Sequence, residues 1–384
     1  MKNLHKLLCI LALFLSVNTL RAEHHSPAGE PKQELNVREF ILEHVADAYS
    51  WHITKWGEYE ISVPLPIIVR SNTTGWHLFL SDKLFDGAEY KGLSIAEEGE
   101  FKGKVIEKST TGEEIRPLDI SITKVTFSLL LSSAILIFVI MFVAKSYDKD
   151  KHESKGGFVG FMEMFIMNIN DDVIKPCIGK DYKRFAPYLL TVFFFVFINN
   201  LMGLIPIFPG GANVTGNIAI TFVLAISTFL IVNIFGSSEY WREIFWPEVP
   251  LWLKAPIPLM PVIEIVGVIT KPFALMIRLF ANMIAGHSIV LGLTCLIFVT
   301  VSMGQAMNTS MTIVSVLLSI FINVVELLVA YIQAYIFTML SAVFIGLARV
   351  EPHHPHPVVK RNFKIVNFKH NLRALRRRLR KNNK

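Results

Sequence analysis

Three ionisable residues, Arg278, His287 and Glu326, lie within the two longest apolar stretches of a chain of 384 residues. An ionisable group at membrane depth costs about 2.5 to 3.5 kcal/mol on insertion scales, so such residues are functional candidates by default. Arginine stays protonated and supplies a permanent positive charge. A carboxylate beside an imidazole can exchange protons near neutral pH, because the two groups titrate as a unit. These residue types therefore predict one fixed charge and one proton relay.

The spacing of these residues predicts how two long helices would bring them together. Asn282 follows Arg278 by four residues and Gln333 follows Glu326 by seven, so each amide shares a helix face with a charged residue. In an antiparallel hairpin that reverses near residue 306, Arg278 would lie beside Gln333, and His287 would lie beside Glu326. The two pairs would be about 13 Å apart along the helix axis. At about 100° per residue, Arg278 and His287 lie on opposite helix faces. We therefore expect one pair to face a partner and the other to face an internal aqueous path.

The sequence also allows purely structural roles for these residues. Arg278 could form a salt bridge inside a helix bundle with Glu264 or Glu326, and His287 and Glu326 could be a packing pair. Three asparagines are more typical of hydrogen bonds between helices than of a pathway lining: Asn199, Asn200 and Asn217.

The composition defines the class of protein that must hold these groups. The chain is 52% hydrophobic and 18% charged, against about 25% charged residues in a soluble domain. A soluble enzyme cannot bury so much apolar surface, and a disordered chain has far less of it. The sequence therefore predicts an all-α polytopic membrane protein.

Five membrane crossings account for the apolar stretches. Three of these, 125–144, 187–208 and 217–236, are close to the roughly 20 residues that cross about 30 Å of hydrocarbon. The stretch 312–347 would form a helix about 54 Å long and would have to tilt by about 55°, beyond the usual range of 0 to 40°. The stretch 261–303 is longer still, and Gly304 lies in the uncharged reversal between the two. We expect a long tilted antiparallel hairpin that is partly covered by something other than lipid.

Charge and hydropathy divide the chain into four segments. Residues 1–22 have the pattern of a secretory signal peptide, and 23–118 form a small exported N-terminal module of mixed helix and strand. Residues 119–350 form the membrane-embedded domain, and 351–384 form a basic cytoplasmic tail. The positive-inside rule places the N-terminus outside and the C-terminus in the cytoplasm. The tail is more typical of an anchor on anionic lipid than of nucleic-acid binding.

Neither a metal site nor a cofactor is predicted. The five histidines of the exported module lack ligand spacing: His24, His25, His44, His52 and His77. The cysteines Cys9, Cys177 and Cys295 indicate neither a disulfide framework nor a metal centre.

Two segments of the chain resemble subunit a of the membrane sector of rotary F-type ATP synthases. They are RLFANMIAGH at 278–287 and ELLVAYIQAYIFTMLSAVF from Glu326, and FAPYLLTVFFFVFINNLMGLIP at 185–206 looks like the same family. The resemblance covers about 119–350 and leaves out the exported module and the tail. His287 and Glu326 occupy positions at which many bacterial relatives carry a carboxylate and a histidine, so the pair is exchanged here, as in mitochondrial members.

The resemblance implies a stator of the bacterial inner membrane that conducts protons beside a rotating ring of c subunits. Its partners would be that ring, b-type peripheral stalk subunits and the remaining synthase subunits, and the chain itself would not be catalytic. Arg278 matches the essential arginine facing the ring carboxylates, and Asn282 and Gln333 match the polar residues beside it. His287 and Glu326, extended by Asn217, would line the path to the exported side.

A secondary transporter with a charged substrate site at Arg278 is the alternative of another class. Transporters usually carry paired repeats with broken helices in both halves, and the sequence contains no second copy of the Arg278 hairpin. An intramembrane metalloprotease is disfavoured because the sequence contains no HExxH motif.

Overall fold

The computed structural model describes residues 37–56, 59–71, 74–96, 99, 101–108, 114–147, 156–205, 210–246 and 259–349. The predicted signal peptide and basic tail lie outside these residues. The chain divides into two units, 1–40 and 41–384. Only 37–40 of the first unit are described, as the start of a helix, and the site described below belongs to the second.

In its described residues, the N-terminal module contains helix α1, Val37–Val45, followed by eight short strands. The sequence predicted this mixture of helix and strand. The strands are β1 (Ser50–Trp56), β2 (Tyr59–Pro64), β3 (Pro66–Ser71), β4 (Gly75–Leu80), β5 (Leu93–Ile95), β6 (Val105–Lys108), β7 (Glu114–Ile115) and β8 (Leu118–Asp119).

The strands pair antiparallel in three small sheets, of which one has the order β4-β3-β8. Alternate side chains of β3 point into a small core, where Ile67 and Val69 are fully buried. Tyr49 completes this core: its hydroxyl donates to the Asp119 carboxylate and accepts from the Val105 N–H at 3.4 Å. Burial and the bond to Asp119 raise the pKa of Tyr49 well above its usual range, so this hydroxyl stays a neutral donor.

The module is joined to the first membrane helix, α2 (Lys124–Ser146), by backbone hydrogen bonds. The N–H of Lys124 donates to the Ala48 carbonyl at 2.8 Å, and the N–H of Val125 donates to Asp47 Oδ1 at 3.1 Å. Both donors belong to the first turn of a helix, where backbone N–H groups lack partners within the helix. The module thus supplies hydrogen-bond acceptors for the backbone N–H groups in the first turn of α2.

Among the described residues, four helical stretches are long and apolar enough to cross a membrane, and a bent helix pair makes a fifth if it is counted as one span. This confirms the predicted helical polytopic architecture. The stretches run over 124–146, 157–204, 260–303 and 305–348, and the bent pair is α6 (Ile218–Ile234) with α7 (Ser238–Phe245), at 100°.

The predicted span 187–208 is described only to residue 205, and its helical part, up to Leu204, is the second half of a longer helical run. The run contains α3 (Gly157–Asn168), a π-helical turn (Ile169–Ile174), the short α4 (Lys175–Ile178) and α5 (Tyr182–Leu204). The polar residues between α3 and α5 hid this continuity from a reading of hydropathy. Side chains of α5, among them Leu189 and Phe193, are fully buried in the membrane core.

The two longest helices form the predicted hairpin. Helix α8, Leu259–Thr300, has 42 residues, and α9, Gln305–Ala348, has 44. Gly304 lies between them with a φ of 104°, a conformation that favours glycine, which confirms the predicted reversal. Helix α9 begins seven residues before the apolar stretch, and in this first part the hydroxyls of Thr309 and Ser310 donate to carbonyls four residues earlier.

Asn199 and Asn200 hold α5 against its neighbours. Asn199 accepts a hydrogen bond from Ser132 of α2 at 2.7 Å. Asn200 accepts from Thr215 at 2.7 Å and donates to the Ala330 carbonyl of α9 at 3.4 Å. Both therefore act between elements, as one of the sequence interpretations expected.

Candidate functional site

His287 of α8 and Glu326 of α9 lie at the same level of the hairpin and line the same two cavities. The smaller cavity, about 190 Å³, also contacts Asn282. The larger, about 630 Å³, runs from the same pair toward the N-terminal module. The hairpin thus brings together the two residues whose spacing predicted their meeting.

Both side chains present a buried polar atom to this region. Nε2 of His287 and Oε1 of Glu326 have no hydrogen-bond partner among the residues that the structure describes. A buried polar atom without a partner costs about 1 to 3 kcal/mol. Such atoms in a native protein call for an explanation, and a role in proton exchange provides one.

Two glycines make room for this pair. A Cβ added to Gly203 of α5 would lie 3.4 Å from His287 Nε2. A Cβ added to Gly286 would overlap the carboxylate of Glu326. The two acid–base side chains therefore lie against glycine backbone, where a larger residue would displace them.

Arg278 lies on another face of α8 and is exposed. In the described part of the chain no hydrogen bond or ion pair involves its guanidinium. The salt bridges to Glu264 and Glu326, which the sequence allowed, are therefore not formed among these residues. Asn282, one helical turn further on, is also exposed and connects this face with the smaller cavity. Gln333 is 7% exposed and forms no hydrogen bond with Arg278 in these described residues.

Asn217 occupies a different place from the expected pathway lining. Its side chain accepts from the N–H of Ala219 at 2.9 Å and caps the N-terminus of α6. Of the described residues around the larger cavity, Asn213 of the same loop contributes an amide instead.

Sequence reasoning missed several residues of the larger cavity. Asn213 and Asn323 carry amides that resemble ordinary helix-bonding residues, and Lys124 resembles an ordinary charge at the start of a span. A polar residue three positions before Glu326 was the available signal for Asn323, because it shares a helix face with Glu326.

Within the described ranges, no group of three or more His, Cys, Asp or Glu side chains is placed to hold a metal ion.

Fold and site together define a polytopic membrane protein that carries an acid–base pair and an exposed arginine in its longest helical hairpin. The chain belongs to the ATP synthase A chain family, whose model matches residues 126–346. Residues 40–120 match a second family, described as Domain of unknown function (DUF8433).

Its relatives include proteins named ATP synthase subunit a. The chain is 40% identical to that of Chloroherpeton thalassium over 249 residues, which cover 63% of this chain and 70% of the relative. It is 43% identical to that of Pelodictyon phaeoclathratiforme over 250 residues, with shares of 63% and 70%. It is 39% identical to that of Myxococcus xanthus over 254 residues, with shares of 63% and 79%.

These matches confirm the resemblance seen in the sequence. The chain functions as the proton-translocating stator subunit of the membrane sector of an F-type ATP synthase. The secondary-transporter alternative is not favoured.

Proposed function

We propose that His287 and Glu326 relay protons between the exported side and the carboxylates of a c-subunit ring. The observation that carries this proposal is that the pair lines both cavities, one toward the exported module and one toward Asn282. An imidazole and a carboxylate in one cavity can pass a proton in either direction, since each shifts the titration of the other. Asn217, as the cap of α6, holds the loop that carries Asn213.

Arg278 is the fixed charge of this mechanism. It lies on a helix with exposed apolar neighbours, among them Phe273 at 55% and Ile277 at 43% exposure, a surface suited to packing against the apolar helices of a ring. A ring carboxylate that approaches a permanent cation is favoured as its anion. It must therefore release its proton before passing Arg278 and gain another only afterwards, so ion flow requires the ring to turn. Gln333 is buried in α9, and we assign it a supporting role beside Arg278.

The mechanism places a second path on the cytoplasmic side of Arg278. Lys271 lies two turns before Arg278 on α8, whereas His287 lies beyond it. A cavity of about 20 Å³ is lined there by Asn233, Tyr240 and Lys271, a volume that suits about one water molecule. Oδ1 of Asn233 is buried without a hydrogen-bond partner among the described residues. Two paths on opposite sides of Arg278 let the transmembrane potential drive the ring, at about 2.3 kcal/mol per proton and 100 mV.

The location of the chain follows from the same proposal. The N-terminal module, after removal of residues 1–22, faces the exported side of the bacterial inner membrane, and the C-terminal tail faces the cytoplasm. The basic tail is assigned to contacts with anionic lipid or the b-type peripheral stalk.

The partners are tested by purification of the tagged chain from its own membranes in a mild detergent. We expect it to copurify with a small two-helix protein that carries one membrane carboxylate, together with peripheral stalk subunits. A chain that is recovered alone, and that catalyses solute exchange when reconstituted, would support the transporter and refute the stator.

Substitution of Gly286 by alanine tests the position of the Glu326 carboxylate. The added Cβ overlaps the end of a flexible side chain rather than backbone, so we expect the complex to assemble and the carboxylate to move. A misplacement of about 1 Å can cost about 100-fold in rate, so ATP synthesis driven by a proton gradient should fall about 10- to 100-fold. The measurement is the initial rate in membrane vesicles, normalised to assembled complex.

The matched control is Gly292→Ala on the same helix, where an added Cβ has no neighbour within 4 Å. This variant should synthesise ATP at the parent rate. Equal rates for Gly286→Ala and Gly292→Ala would show that the carboxylate need not stay where the structure places it.

A further inference from the structure

The exported module forms part of the wall of the larger cavity. Three of its residues, His44, Val45 and Trp51, line this cavity together with Lys124, and His287 and Glu326 line it from the hairpin. The module lies outside residues 126–346, which match the ATP synthase A chain family. Its position therefore requires an explanation beyond the mechanism given above.

Lys124 is held in place at the junction between the module and α2. Its N–H and that of Val125 are bonded to Ala48 and Asp47, as described above. Trp51 is 3% exposed and packs edge-on against Phe127 with ring centroids 5.9 Å apart. The Nζ atom of Lys124 lies 6.0 Å from the centre of the Trp51 ring. The contacts from the module thus hold a cation at the outer end of the cavity.

Few titratable side chains line the cavity, and they differ in the sign of the charge that they can carry. Four titratable residues line it among those the structure describes: His44, Lys124, His287 and Glu326. Lys124 lies within electrostatic range of both Asp47 and His287. Lys124 is thus the cation at the outer end of the path, and Glu326 is the carboxylate at its inner end.

We propose that the exported module is the outer vestibule of the proton path, and that Lys124 makes this vestibule repel metal cations. This inference rests on the proposed function of His287 and Glu326. A carboxylate in a cavity of about 630 Å³ attracts hydrated alkali cations as well as protons. A fixed ammonium lowers the local concentration of every cation. A proton still binds, because it forms a covalent bond to the imidazole or carboxylate, whereas a sodium ion gains no comparable bond.

The electrostatic claim can be measured without turnover of the enzyme. Asn323 lines the cavity and is exposed, so Asn323→Cys supplies a reporter thiol in a complex whose Cys177 and Cys295 are replaced by alanine. Right-side-out vesicles are treated from the exported side with an anionic sulfonatoethyl or a cationic trimethylammonioethyl methanethiosulfonate. The measured quantity is the ratio of the anionic to the cationic reaction rate.

We expect this ratio to fall about 10-fold with Lys124→Gln and further with Lys124→Glu, because a unit charge in the same cavity acts in opposite directions on the two probes. Lys124→Arg keeps the charge and should keep the ratio, which separates charge from packing. Lys83→Gln is the matched control, since Lys83 is an exposed lysine of the module that does not line the cavity.

Two results would overturn the inference. A thiol at position 323 that reacts with neither probe would show that the cavity is not a vestibule open to the exported side. A ratio unchanged by Lys124→Gln and Lys124→Glu would show that Lys124 does not set its potential. Neither result depends on the ring or on proton transfer, so the proposed function stands or falls separately, on the activity of the variants at Arg278, His287 and Glu326.

Discussion

Arg278→Ala should abolish ATP synthesis driven by a proton gradient while leaving the chain inserted and assembled. An adjacent cation lowers the pKa of a carboxylate by about 1 to 3 units, so without Arg278 the ionised fraction of ring carboxylates in apolar surroundings should fall by about 10- to 1000-fold. Arg278 is exposed and unpaired within the described residues, so its loss should disturb little of the subunit's own packing. The measurement is ATP synthesis in vesicles, normalised to complex content.

Arg242→Ala is the matched control for this variant. Arg242 lies on α7 beside Glu239, with 61% of its side chain exposed. It carries the same charge outside the proposed path, so its removal should leave the rate near that of the parent. Normal coupling in Arg278→Ala would refute the proposed role of the arginine.

The second large effect concerns the exchange of His287 and Glu326. His287→Glu alone places two carboxylates in one cavity, and Glu326→His alone places two imidazoles there, so each single variant lacks a matched acid and base. We expect each to lose about 10- to 100-fold in proton-driven ATP synthesis. The double variant restores one carboxylate and one imidazole and should recover at least about 10-fold over either single variant.

A double-mutant cycle on these rates gives the coupling between the two residues. Contacting residues in one network usually show coupling of about 0.5 to 3 kcal/mol. Additive losses, with the double variant as poor as the product of the singles, would mean that the two residues do not form a relay. Assembly of all four proteins must be compared, because Gly203 and Gly286 leave little room for a changed side chain.

The sequence predicted the central pair because its geometry is local. A helix repeats every 3.6 residues and the reversal at Gly304 fixes the register of the hairpin, so the levels of His287 and Glu326 follow from residue numbers alone. The separation of Arg278 from the helix face of His287 followed in the same way from its angular position on α8. These inferences needed only the helix period and the cost of burying charge in a membrane.

Other parts of the site depend on packing between distant segments, which residue spacing does not encode. Asn213 and Lys124 reach the larger cavity because a loop and the exported module fold against the hairpin. Asn217 shows a different limit. Its position directly before an apolar helix is typical of an N-cap, and that local signal, rather than its polarity, matches the structure.

The proton permeability of complexes whose rotation is blocked tests the central claim most directly. Parent and Arg278→Ala complexes are reconstituted in vesicles, the ring is immobilised by a cross-link to the stator, and decay of an imposed pH gradient is recorded. Arg278 separates the two proton paths, so the parent should hold the gradient, and Arg278→Ala should dissipate it through a carboxylate that takes up and releases protons on both sides. A gradient held equally well by the locked Arg278→Ala complex would contradict the account.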